Sequence, residues 1–183
     1  NCRGTSLMPS IWPDSIAATA DDGSFMMTMV AYLADALAAR GLTSVKRTSF
    51  LDQGLGLKGR EAAQALRAGT VLLGDSLGEM YFYLELSDRV VVGGGFQPKG
   101  SHNIIEPLAL GKPVIVGPEI HTIEYPAVEA ISAGVCLQTT AEALARDIET
   151  WPDPAPEAIA AFIAAHSGAG ERTMAAISPL LRP

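Results

Sequence analysis

Short apolar runs alternate with longer segments of helical period along most of this chain. Phe25, Met29, Leu33 and Leu37 recur at a spacing of four, and Met26 and Val30 widen the stripe, so a helix is predicted over 25–40 with Gly41 as its stop. Ser24 or Asp22 can cap its start, and the Met-rich face reads as core. A short strand is predicted at 42–48, a glycine-rich loop at 51–59, a helix at 60–68 with Ala62, Ala63 and Leu66 inward, and a buried strand at 70–73. A turn at 74–76 leads into a helix at 77–86. The densest pattern is 89–118: a β-branched run, three glycines at Gly93, Gly94 and Gly95, a short helix at 103–110 closed by Gly111 and Pro113, and a second run, Val114, Ile115 and Val116, ended by Gly117 and Pro118.

Downstream, helices are predicted at 126–133, 139–151, 157–166 and 171–181, with a strand at 135–138 and a rigid break at Pro152, Pro154 and Pro156. Thr139 to Glu142 reads as a capping box. Strands alternating with helices imply an α/β fold, a Rossmann-like doubly wound parallel sheet with C-terminal helices. The expected domains are 1–152, Rossmann-like, and 153–183, a helical tail. In such sheets ligands sit beyond the carboxyl ends of the strands, which places function at the loop 93–103.

Composition narrows the field. Hydrophobic residues make up 48% of the 183, enough for a real core, and 20 acidic against 13 basic residues give a formal charge of −7. A cationic footprint for nucleic acid is therefore lacking. Cys2 and Cys136 are too few and too far apart for a disulfide framework or zinc site. No apolar run reaches the ~18 residues of a membrane span. The first 23 residues, with Pro9, Trp12 and Pro13, show no strand period, and the chain opens on Asn1 rather than Met. A fragment of a longer protein is the expectation.

Candidate chemistry gathers at two strand ends. The Gly93–Gly94–Gly95 loop can bring backbone N–H groups to an anion, or be a plain tight turn; it fits neither the Walker pattern nor GxGxxG. Asn103 to Glu106 is either a capping box or, through the two carboxylate oxygens of Glu106, a holder of a ribose diol. Asp75 to Glu79 is a second strand-end turn, with capping by Asp75 or Ser76 as its plain reading, and the two strand ends are expected to share one crevice. Lys99 and His102 can assist a phosphate or stay solvated. His121 and His166 have no partner signal. No triad, metal cluster or carboxylate pair can be defended from spacing, so no catalytic residue and no metal ligand is assigned.

The segments GDSLGEMYFYLELSDRVVVGGGF and GSHNIIEPLALGKPVIVGP resemble the C-terminal half of 3-deoxy-D-manno-octulosonic acid (Kdo) transferases, GT-B glycosyltransferases of lipopolysaccharide synthesis. The resemblance is dense over 70–138, weaker over 25–70, and spans about half of such an enzyme. It implies that Leu77, Gly78 and Glu79 line the cytidine site of CMP-Kdo. It implies that Asn103, Ile104, Ile105 and Glu106, beside Gly94 and Gly95, hold the ribose and phosphate. Cys2-Arg3 stands where the family has a nucleotide-contacting Pro-Arg pair, so Arg3 joins the expected site. Gly95 stands where the family has Ser, and Ser101 where it has Gly.

The implied activity is Kdo transfer to a lipid A precursor with inversion at the anomeric carbon. The base would be a Glu of an N-terminal GT-B domain absent from this chain, which by itself would be inactive. The donor CMP-Kdo is a substrate, and no cofactor is implied. Further expectations are a cytoplasmic-face location at the bacterial inner membrane for the full-length protein, a soluble fragment, and self-association through the face that would meet the other domain. A UDP-sugar 2-epimerase-like domain and a non-catalytic nucleotide-binding or interaction module remain as alternatives.

Overall fold

The computed structural model describes residues 24–59 and 69–181. Arg3, Trp12, Asp22 and the helix predicted at 60–68 lie outside them. The chain divides into two compact units, one ending at Glu79 and the other beginning at Met80.

The first unit contains helix α1 (Ser24–Ala38), strand β1 (Ser44–Lys46), a four-residue helix α2 (Arg47–Phe50) and strand β2 (Val71–Leu73). The strands are parallel, with Ser44 opposite Val71 and Lys46 opposite Leu73. Helix α1 closes in a Schellman turn: Leu42 N–H reaches Leu37 O (3.0 Å), Gly41 N–H reaches Ala38 O (2.9 Å), and Gly41 takes φ +71°. Of the expected stripe, Val30 and Leu37 face inward and Leu33 does not, while the side chains of Phe25 and Met26 lie outside those described. Val30 is buried and Leu33 is 40% exposed, so the face runs through Val30, Ala34 and Leu37. Helix α2 was not anticipated; four residues give no periodicity to read, and tertiary bonds hold it.

The second unit contains α3 (Met80–Leu86), β3 (Val90–Val92), α4 (Ile105–Ala109), β4 (Val114–Val116), α5 (Glu124–Ser132), β5 (Cys136–Gln138), α6 (Leu144–Thr150), α7 (Pro156–His166), α8 (Ala169–Ile177) and a 3₁₀ turn, Ser178–Leu181. Its sheet is parallel in the order β3-β4-β5, with Val90 opposite Val114 and Val114 opposite Cys136. The central strand is buried along its whole length, as its unbroken apolar run requires. Val92, Ile104, Leu108, Val114, Val116, Ala127, Ala130, Val135, Ile159 and Phe162 pack into one core. Helix α7 thus belongs to this core through Ile159 and Phe162, although it follows the proline break.

Several element starts differ from expectation. Helix α3 begins at Met80 rather than 77, because Gly78 takes φ +82°, outside helical space. Helix α4 begins at Ile105 rather than 103. The capping box at 139–142 is displaced: Thr140 Oγ1, not Thr139, accepts an amide, that of Ala143 (3.3 Å), while the Thr139 hydroxyl donates to Asp147. Helix α6 accordingly starts at Leu144. The final helix starts at Ala169 and tightens into the 3₁₀ turn at Ser178. Arg89 fastens the proline break to the start of β3, donating to the carbonyl of Trp151 (2.9 Å) and to Asp153 while its guanidinium lies 5.2 Å from the Trp151 ring centre. Among the described residues no helix is long and apolar enough to cross a membrane.

Candidate functional site

In the second unit, β3 hands the chain to the loop 93–102. Gly94 has φ +88°, and a Cβ there would lie 2.3 Å from the carbonyl oxygen of Gly100. A Cβ on Gly117 would lie 2.2 Å from the carbonyl carbon and oxygen of Gly95. The loops leaving β3 and β4 are therefore in backbone contact, tied by Glu119 N–H to Gly95 O (2.9 Å), His102 N–H to Gly93 O (3.3 Å) and Thr122 Oγ1 to Ser101 O (2.6 Å). The need for glycine at Gly94 and Gly117 follows from this close packing. Ser101 Oγ is buried without a hydrogen-bond partner among the described residues.

The loop delivers the chain to Asn103. Its Oδ1 accepts the Ile105 N–H (2.8 Å), an Asx turn that opens α4 from one residue before the N-cap, Ile104. The Ile104 side chain is 0% exposed and belongs to the core, so only its main chain can meet a ligand. Glu106 lies in the first turn of α4, half-buried, and its carboxylate takes no hydrogen bond or ion pair from the described residues. The reciprocal arm of a capping box is thus missing: Asn103 opens the helix and the Glu106 carboxylate takes no part. His102 is exposed, and His121 stands 3.7 Å from Glu119 with both side chains about half exposed.

In the first unit, β2 ends at Leu73 and the turn 74–79 follows. Asp75 does cap a helix, but not the one after it. Its Oδ1 accepts the Thr48 N–H (2.9 Å) and its Oδ2 the Thr48 hydroxyl, so it caps α2, 27 residues upstream. Burial works against ionisation of Asp75, but these bonds from Thr48 outweigh it and hold its pKa below the usual carboxylate value. Ser76 Oγ donates to Glu79, and Glu79 is ion-paired with Arg47, whose Nε lies 2.6 Å from Oε2. The Glu79 carboxylate is therefore committed to the protein. Between these anchors Leu77 is 78% exposed, and neither Leu77 nor Gly78 uses its N–H in a bond to the described residues.

Sequence reasoning missed Arg47 and Thr48. Parallel register was the available signal. With Lys46 opposite Leu73, residues 47–48 and 74–75 leave neighbouring strands at the same level. Among the described residues no cluster of His, Cys, Asp and Glu could hold a metal. Cys136 is buried in β5, and burial pushes its thiol up to about 12, a structural rather than reactive cysteine.

Comparison with known proteins fixes the context. No protein-family model matches the chain. The 3-deoxy-D-manno-octulosonic acid transferase of Bordetella pertussis is 42% identical over 118 residues, 61% of this chain and 28% of that protein. The chain is similar to Kdo transferases. The Haemophilus influenzae enzyme of the same name is 40% identical over 83 residues, 43% of this chain and 19% of that protein. The chain thus spans less than a third of the length of the curated relatives it matches. In three dimensions it resembles the crystal structure of the C-terminal CMP-Kdo binding domain of WaaA from Acinetobacter baumannii. That match has a TM-score of 0.55 and 25% identity, and covers 85% of this chain and 69% of that one. The α/β fold expected from the alternation of strands and helices thus resembles that of a C-terminal CMP-Kdo binding domain.

Proposed function

We propose that this chain is a donor-binding domain that takes the nucleotide of CMP-Kdo, within a glycosyltransferase that moves Kdo to a lipid A precursor. The observation that carries the reading is Glu106. A carboxylate fixed at the start of α4, next to a tightly packed glycine loop and unused by the helix cap, can accept two hydrogen bonds from a ribose diol. The similarity to Kdo transferases and to a CMP-Kdo binding domain supports the same assignment. In this reading Asn103, Ile105 and Glu106, with main-chain groups of Gly94, Gly95 and Ile104, hold ribose and phosphate. Leu77, Gly78 and Glu79 are assigned to the base by resemblance, Leu77 and Gly78 through main-chain N–H groups and Glu79 by fixing their turn. Arg3 is assigned to the nucleotide by resemblance alone.

The chain's own residues bind the leaving nucleotide and steady its phosphate charge through fixed N–H groups. The base that deprotonates the acceptor is assigned to another domain, so this chain binds donor nucleotide and transfers nothing by itself. The full-length protein acts at the cytoplasmic face of the inner membrane, where lipid A precursors are glycosylated, and the bare chain can self-associate. Amide chemical-shift mapping during a CMP titration tests the site. Shifts should concentrate at 77–79 and 94–106; shifts scattered elsewhere, with these amides unmoved, would contradict it.

A further inference from the structure

The turn 74–79 is bolted to the end of β1 by two neighbouring residues. Arg47 is 3% exposed and spends its whole guanidinium: Nε and Nη2 fork onto the two oxygens of Glu79, and Nη1 donates to the main-chain oxygen of Asp52 (3.0 Å). Thr48, the next residue, gives its N–H and hydroxyl to Asp75. Ser76 adds its hydroxyl to Glu79. The turn is thus clamped at 75–76 and again at 79, and only Leu77 and Gly78 bulge outward between the clamps. A buried ion pair is a poor source of net stability, since desolvation consumes most of the attraction, but a forked guanidinium fixes a carboxylate in position and plane.

We infer that Arg47 is the positioning residue of the turn 77–79: through Glu79 it sets the direction of the Leu77 and Gly78 N–H groups, and so the discrimination between nucleotide bases. The inference rests on the reading of that turn as base-contacting. A buried polar network of this kind lets two exposed amides stay in one arrangement without a ligand, which spares the ordering cost on binding. Arg47 touches no substrate and acts only through the turn.

The test compares the unaltered chain with Arg47→Met, which keeps the length of the apolar stem without the fork, with Arg47→Lys, and with Glu79→Gln. CMP and UMP affinities are measured by calorimetry at a temperature where circular dichroism shows each variant folded. The unaltered chain should prefer CMP. Arg47→Met should weaken CMP by about tenfold or more and bring the CMP-to-UMP ratio toward one, because misplacement of contact groups by about 1 Å is costly. Arg47→Lys should recover part of the affinity and less of the ratio, since an ammonium restores charge but not the planar fork. Glu79→Gln, which keeps the shape but replaces one accepting oxygen by an NH2 that cannot accept from Arg47, should narrow the ratio even if Arg47→Met does not fold. Lower melting temperatures with unchanged CMP affinity and ratio would overturn the inference and leave a merely structural ion pair. No CMP binding by the unaltered chain would instead overturn the base-contacting reading, and the inference with it.

Discussion

At the scale of single residues, the two carboxylates first singled out by spacing have opposite fates. Glu79 is consumed by Arg47 and Ser76, whereas Glu106 stands beside a helix that Asn103 opens without it. Glu106→Ala should therefore leave stability within about 0.5 kcal/mol, as for a surface change away from a cap. It should weaken CMP by roughly 10- to 100-fold, the loss expected for charge-assisted hydrogen bonds of about 1.5–3 kcal/mol. Thermal melting and calorimetry on the same samples separate the two: a large fall in melting temperature with intact affinity would return Glu106 to a capping role. Acid sensitivity is also a residue-scale property. The pKa of Asp75 is depressed by Thr48 against the opposing effect of burial, and that of Asp147 by hydrogen bonds from Thr139 and Arg146. A depressed folded pKa adds stability that is fully present above the unfolded value of about 3.9 and disappears as pH falls through the folded value. The chain should hold its stability from neutral pH to about 5 and lose it below about 4. Asp75→Asn should flatten part of that fall in a pH series of urea melts.

Elements were legible where their signals are local. Gly41 and Gly111 end helices as anticipated, and Gly134 does the same, each with φ between +71° and +73° and the paired Schellman bonds, because the last turn and its glycine lie within a few residues of one another. Helix starts were less legible because distant partners set them. Helix α2 starts under the cap of Asp75, 27 residues later in the chain, and α3 starts only after Gly78, whose φ of +82° lies outside helical space. Spacing within a segment cannot report such bonds. The loops around the glycines illustrate the same limit. The run Gly93–Gly95 could serve a ligand or be a plain tight turn; in the structure Gly94 packs against Gly100, and Gly95 against Gly117. Gly117→Ala should force the loops leaving β3 and β4 apart and cost about 1–3 kcal/mol, the usual penalty for overpacking. Melting would register that cost. Gly111→Ala, with open space around its Cβ position, should cost only the strain of its positive φ. Equal losses at the two sites would mean that the loop contact is dispensable.

At the scale of the whole molecule, the parallel order β3-β4-β5 and the buried run of β4 place the glycine loop and Glu106 beyond the strand ends, where α/β sheets bind ligands. The general fold could be reached from alternating periods alone. The nucleotide could not, because a glycine loop and one carboxylate fit several phosphorylated ligands; the cytidine assignment draws on similarity to Kdo transferases. The most direct measurement is a calorimetric titration of the chain with CMP, CDP and UDP under one buffer. Saturable binding of CMP at one site, tighter than that of UDP, is the result expected of a CMP-Kdo donor domain. Preference for UDP would point to a UDP-sugar enzyme of similar fold, and absence of binding to all three would contradict the donor-domain assignment.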